Sequence, residues 1–290
     1  MTNADFEFIA ALLKERSGLI ITTDKLYLLQ TRLVTVLRDH KLAGLPELVG
    51  LLRQPGTTAV KDAVIDAMTT NETSFFRDLH PFETLRKSII PALIERRKEA
   101  RSLRIWSAAC STGQEPYSIA MILKDHFPIL GGWNVEIVGT DISPTVLARA
   151  REGIYSTFEI QRGMPIHTLV RHFDQVQDQW RAKSELRRMV TFKQVNLLQD
   201  FSSLGLFDIV MCRNVLIYFD LSTKGTILSA MARRIPADGS LVMGGAESMF
   251  GISDVFAPVS GLKGVYGIAK SVRAHPNAQV ARVMSFVPAA

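Results

Sequence analysis

From about residue 103 onward, apolar runs of strand length alternate with stretches of helical period, and this rhythm constrains the fold more than any other feature of the chain. LRIWSAA is followed by PYSIAMILKDHF, VEIVGTD by PTVLARAREG, and FDIVMCRNVLIYF by TKGTILSAMARRI; MVTFKQVNLL, GSLVMGG and GVYGIAK complete the set. Strands apolar along their whole length are covered on both faces, and strands separated by helices pair in parallel. The expected fold class is therefore α/β, a Rossmann-like, mostly parallel, doubly wound sheet. Ligands in such sheets sit beyond the carboxyl ends of the strands, near the point where the strand order reverses.

The preceding residues carry a different pattern. Phe6, Ile9 and Leu13 recur at helical spacing, as do Leu26, Leu29, Leu33 and Leu37, and then Val60, Val64 and Met68. Gly18 and Gly44 fall where helices are expected to stop, and Pro46 and Pro55 mark further breaks. This predicts an all-helical N-terminal domain over 1–68 ahead of an α/β domain over 69–270. Between about 153 and 189 the alternation lapses into a polar, mixed stretch too long for an ordinary connection, which predicts a small inserted β-subdomain. Residues 271–290 have no clear period and are expected to form a flexible tail.

Composition narrows the setting. No apolar run reaches the roughly 18 residues that span a bilayer, so no stable membrane insertion is expected. The start MTNADFEF lacks a signal-peptide pattern. Two cysteines, Cys110 and Cys212, suit neither a disulfide framework nor a metal site, and free thiols fit a reducing cytoplasm. The net charge of +6 points to an acidic partner. It is uneven: residues 1–70 balance eight basic against eight acidic side chains, whereas 85–104 hold seven basic residues against Glu95 and Glu99. That basic stretch reads either as a solvated helix face or as a docking surface.

The chemistry concentrates in SAACSTGQEPYSIA, residues 107–120, where a strand runs into small residues, a glycine, a carboxylate and a proline suited to a helix's first position. A dinucleotide loop needs G-x-G-x-x-G so that pyrophosphate meets backbone amides; here Gly113 stands alone, and Glu115 would repel phosphate. A carboxylate suits a ligand bearing positive charge. Asp141, at the end of VEIVGTD, is placed to accept hydrogen bonds from ribose hydroxyls, since the following Ser143 supplies the helix cap. Ribose, no phosphate and a welcome cation together describe S-adenosyl-L-methionine (SAM) better than NAD or ATP.

Several stretches in order, "TTNETSFFRD", "WSAACSTGQEPYSIA", "GTDIS", "VNLL" and "CRNVLIYFD", behind a helical N-domain, resemble the chemotaxis receptor methyltransferases, the CheR family. The resemblance covers essentially residues 1–270. It implies a SAM-dependent methyltransferase fold, with SAM donating methyl groups to glutamate side chains on the cytoplasmic helical bundle of chemoreceptors and S-adenosyl-L-homocysteine as product. It also implies that Asn71, Thr73 and Arg77 lie over the SAM site, that Glu115 takes the methionyl end and Asp141 the ribose, and that Asn196 and Leu197 flank the adenine. Arg213 and Asn214 would complete the pocket, and Tyr218 would sit close to the transferred methyl, so Arg77 and Tyr218 become the candidate catalytic residues. Each has a plainer reading: Thr69-x-x-Glu72 as a capping box that starts a helix, Asn196 as a turn former, and Tyr218 as core.

A glutamate with a pKa near 4.3 is ionised about 500:1 at pH 7, so the acceptor arrives activated and no general base is required. None of the six histidines falls in a motif. No metal is expected, and a monomer is. Family members that bind a receptor's C-terminal pentapeptide do so through the inserted subdomain, with a glycine-containing turn. RHFDQVQDQWRAKSELRRM has no glycine, which predicts a subdomain that does not tether that peptide. The rival readings are a SAM-dependent nucleic-acid methyltransferase, disfavoured by CRNVLIYF where an N/D-P-P-Y/F strand end belongs, and a non-catalytic SAM-binding regulator.

Overall fold

The computed structural model describes residues 2–249 and 251–269. The tail expected at 271–290 lies outside the described residues. Helices Asn3–Ser17, Leu26–Arg32, Val34–Asp39, Leu45–Leu52 and Thr58–Met68 enclose a core of Ile9, Leu13, Leu29, Leu33, Leu48, Leu52, Val64 and Met68. The stripe from Leu26 to Leu37 is divided by a turn at Leu33, so two short helices share it. Gly18 ends the first helix in the left-handed region, at φ 73°. Gly44 does the reverse of the expectation and begins the helix Leu45–Leu52, with Pro46 in its first turn.

Strands β1 (Ser102–Ala108), β2 (Asn134–Asp141), β6 (Val190–Gln194), β7 (Ile209–Cys212), β8 (Ser240–Met243), β9 (Phe256–Pro258) and β10 (Val265–Ile268) form one sheet in the order β6-β2-β1-β7-β8-β10-β9. The β6-β2-β1-β7-β8 pairings are parallel; β10 runs antiparallel to β8 and β9. Ile105, Trp106, Ile137, Val138, Ile209 and Val210 are fully buried, as strands covered on both faces require. A second, antiparallel sheet of β3 (Ile154–Ser156), β5 (Gln179–Ala182) and β4 (Phe173–Val176) forms within the stretch where the alternation lapses.

Three local readings change. Thr69-x-x-Glu72 starts no helix: Thr69 closes the helix Thr58–Met68 in an extended conformation, and the chain stays irregular until the helix His80–Thr84. The helix after β1 begins at Gln114, with Gly113 as its N-cap at φ 92°, so Pro116 is its third residue rather than its first. Four of the seven basic residues of 85–104 are taken up by ion pairs within the molecule. Arg97 bridges Asp208 and Asp238, Arg104 pairs with Glu136, and Arg86 and Lys87 share Glu83. A docking surface there would rest on the remainder.

Candidate active site

The carboxyl ends of β1, β2 and β7 lie side by side, because Ala108 pairs with both Thr140 and Cys212. Beyond them opens a cleft, where ligands of such sheets bind. Its floor is the loop Ala109–Ser111 with Glu115 and Asp141, and one wall is Arg213, Asn214, Val215 and Tyr218. Thr69–Ser74 and Arg77 cover it, and Ser17 and Leu19 of the helical domain close one side. Gly18, between those two, packs so tightly that a Cβ there would stand 2.6 Å from the Phe219 ring.

Backbone strain gathers around this cleft. Ala109 (φ 55°), Ser111 (φ 50°) and Asn214 (φ 56°) line it, while Phe76 (φ 49°), Asp78 (φ 69°) and Leu79 (φ 43°) flank Arg77. Left-handed non-glycine residues cost about 1–3 kcal/mol each and persist only where surrounding contacts hold them. Those contacts are visible. Asp141, buried at the end of β2, accepts the Ser111 amide at 2.9 Å and the Ser143 amide at 3.0 Å. Burial pushes its carboxyl above the ordinary value, with these amides opposing the shift. Ser143 caps the next helix through the Val146 amide, which leaves the carboxylate's spare lone pairs for another donor.

Glu115 does not stand free. Its Oε1 accepts the Ser107 hydroxyl at 2.7 Å, and its Oε2 takes Nη1 of Arg213 at 2.7 Å. Arg213, with a side chain only 2% exposed, donates through Nη2 to the Arg77 carbonyl oxygen (2.7 Å) and to Asp78 (2.9 Å), and its guanidinium lies over the Phe82 ring. One arginine thus joins the floor to the segment covering the cleft. Arg77 itself lines the cleft and donates Nη1 to the Glu72 carbonyl oxygen. Asn71 is fixed by Ser111, whose hydroxyl donates to the Asn71 carbonyl oxygen at 2.9 Å.

The structure brings Asn71, Thr73, Arg77, Glu115, Asp141, Arg213, Asn214 and Tyr218 together around this one cleft. It does not bring Asn196 and Leu197 into it. Asn196 joins the domains instead, its Nδ2 donating to the Arg16 carbonyl oxygen at 2.7 Å while its Oδ1 accepts the Leu198 amide. Leu197 is buried in the core around Trp106 and Phe201. Tyr218, expected either in the site or in the core, lines the cleft from a 3-10 turn at Leu216–Tyr218. Two residues with structural weight were not anticipated. Asp78 is the second carboxylate on Arg213. Glu247, just past the end of β8, accepts the amides of Gly244, Asn214, Val215 and Leu216 and so holds the loop that follows β7. The only local sign was a carboxylate following the strand GSLVMGG.

The donors fit SAM. The floor presents two carboxylates and no glycine-rich phosphate cradle, and the buried Asp141 keeps acceptor capacity at a strand end. Among the described residues no group of three or more His, Cys, Asp or Glu is placed to hold a metal ion. A mostly parallel sheet with an acid at the end of its second strand and an acidic floor at its switch point defines a SAM-dependent methyltransferase.

Comparison with known proteins agrees. Residues 71–265 match the family described as CheR methyltransferase, SAM binding domain, and residues 4–69 match CheR methyltransferase, all-alpha domain. The chain belongs to the CheR methyltransferase family. It is 39% identical over 272 residues to "Chemotaxis protein methyltransferase Cher2" of Pseudomonas putida, covering 92% of this chain and 98% of that one. The same figures hold for "Chemotaxis protein methyltransferase 1" of Pseudomonas aeruginosa. A "Chemotaxis protein methyltransferase" of Vibrio parahaemolyticus is 34% identical over 262 residues, covering 89% of this chain and 94% of that one.

Proposed function

We propose that this chain methylates glutamate side-chain carboxylates on the cytoplasmic helical bundle of chemoreceptors, as a protein-glutamate O-methyltransferase of chemotactic adaptation acting as a monomer in the cytoplasm. The observation that carries the reading is the charge lining the cleft: Glu115 and Asp141 lie at the strand ends, and Glu72 and Arg213 are already ion-paired. Arg77 lines the cleft with no ion pair of its own among the described residues, and no histidine is among the lining residues. That arrangement suits a cationic donor bound deep and an anionic acceptor arriving from above.

When bound, SAM supplies an electrophilic methyl group. Asp141 offers its spare lone pairs to ribose hydroxyls, and Glu115, oriented by Arg213 and Ser107, offers its own to the donor's ammonium. Asn71, Thr73 and Asn214 shape the pocket around them. Because the acceptor is already ionised, the protein's task is to align it, and holding two reactants in line is worth up to about 7–11 kcal/mol. Arg77 steers the acceptor carboxylate without a permanent carboxylate partner of its own, since its cleft-side bond is to a backbone oxygen. Tyr218 aligns the acceptor from the opposite wall. Each ester removes one negative charge from a crowded helical surface and relieves like-charge repulsion there.

The inserted subdomain turns its β4–β5 hairpin through Gln177 and Asp178, with Gln177 rather than glycine taking the left-handed position at φ 56°. This supports a subdomain that does not tether a receptor pentapeptide; a calorimetric titration showing micromolar binding would overturn it. The main test is methyl transfer from labelled SAM to chemoreceptor-containing membranes, followed by mild base. Label released as methanol from receptor bands, absent with Asp141→Ala, is expected. Base-stable label, or label on RNA, would refute the glutamate reading.

A further inference from the structure

We propose that the inserted subdomain is the seat of Arg77: it holds the strained turn that carries this residue, and so takes part in methyl transfer without touching donor or acceptor. The inference rests on the reading of Arg77 as the residue that meets the acceptor.

The turn Phe76–Leu79 contains three residues in the left-handed region within four positions. Left to itself it would relax toward right-handed wells, so its shape has to be imposed from outside. From the sheet side it is held by Ser118, whose hydroxyl oxygen accepts the Phe76 amide at 3.0 Å, and by Arg213 on the Arg77 carbonyl oxygen and Asp78. The other anchor is Phe75, immediately before the turn and fully buried. Its ring stands edge-on to Tyr155 of β3 at 5.0 Å and to Phe173 of β4 at 5.6 Å, both inside the insertion. Gly163, in the same insertion, adopts φ 102° and lies so close to the Phe75 carbonyl oxygen that any Cβ there would collide with it. Beside it, Arg162 pairs with Glu72.

The insertion therefore grips the segment 72–75 by a side-chain ring, a backbone contact and an ion pair. Tyr155 also donates its hydroxyl to the Thr112 carbonyl oxygen at 2.8 Å, so the same ring abuts the cofactor loop. Phe75 is bonded to Phe76, which leaves little slack between this grip and Arg77. Displacing the Phe75 backbone must shift the turn, and with it Arg77.

The test uses the full chain with Gly163→Ala and, because a clash with backbone could prevent folding, Phe173→Leu as a second variant, each alone and combined with Arg77→Ala. Amide hydrogen exchange at 76–79, SAM affinity by calorimetry and kcat on receptor membranes are measured. Exchange at 76–79 should accelerate roughly ten-fold in both variants while the helix Gln114–His126 keeps its protection. SAM affinity should stay within a few-fold, and kcat should fall about 10–100-fold, the scale of a misplacement near 1 Å. In the Arg77→Ala background the variants should lower kcat no further, which a merely destabilising change would not reproduce. Unchanged exchange at 76–79, or the same fall in kcat with and without Arg77, overturns the proposal. If Arg77→Ala alone keeps wild-type kcat, the acceptor role of Arg77 fails instead, and exchange at 76–79 still decides whether the insertion seats the turn.

Discussion

Glu247→Ala should disable the cleft from a position outside it. The Glu247 carboxylate accepts four backbone amides: Asn214 at 2.8 Å, Leu216 at 2.9 Å, Gly244 at 3.0 Å and Val215 at 3.1 Å. Truncation removes all four acceptors at once. Glu247 is half-buried, so water can replace part of what is lost; at about 0.5–1.5 kcal/mol per bond the expected destabilisation is near 3 kcal/mol. For a domain of this size that lowers Tm by about 6–12 °C, readable by scanning calorimetry of the full chain. The loop so released carries Asn214 and Tyr218, and kcat measured well below the transition should drop roughly 10–100-fold. Glu247→Gln keeps the shape but turns an NH2 toward amide donors, and should recover less than half of either loss. A Glu247→Ala protein with an unchanged Tm, or one less stable yet fully active, would refute the idea that this carboxylate sets the loop.

Further expectations follow from the charged groups. The raised pKa of Asp141 means that its contribution to folding is largest below the unfolded pKa and declines as pH rises through the folded pKa. SAM affinity should run the opposite way and weaken as this carboxylate takes up its proton, whereas Asp141→Asn should bind weakly at every pH; an affinity independent of pH in the wild type would contradict this. Arg97 ties its helix to Asp208 at 2.9 Å and Asp238 at 2.7 Å, and Arg97→Ala should cost about 3 kcal/mol by leaving the well-buried Asp208 without its cation. The hydrogen bond from Arg97 holds the Asp238 carboxyl below its ordinary value, so that part of the stability is present above the unfolded pKa and lost as pH falls through the folded one. Denaturant titrations should therefore show the wild type's advantage over Arg97→Ala shrinking in acid. Arg77→Ala should lower kcat far more than SAM affinity in paired turnover and calorimetric measurements, and a defect confined to SAM binding would remove Arg77 from the acceptor side.

Much of the architecture is written locally. A strand covered on both faces must be apolar along its length, so LRIWSAA, VEIVGTD and FDIVMC announce buried parallel strands. Glu115 is legible because a carboxylate in the loop-to-helix segment after β1 repels phosphate, Asp141 because Ser143 supplies the next helix's cap, and the helical domain from its stripes. Local pattern is weaker at boundaries: Gly44, expected where a helix stops, instead caps the start of the helix Leu45–Leu52. What needed the tertiary structure is whatever depends on strand order. Arg213 and Glu115 are far apart in sequence and meet only because β7 lies beside β1. Glu247 reaches the Asn214 loop only because β8 lies beside β7, and Asn196 leaves the cleft because its side chain is taken by the backbone of the helical domain. Which segments are strands, which are helices and which strand ends bear acid is set locally, because burial and period act over neighbouring residues. Which charges neutralise one another, and which turn is held strained over the cleft, was decided by tertiary packing, because those contacts join residues that no local period relates.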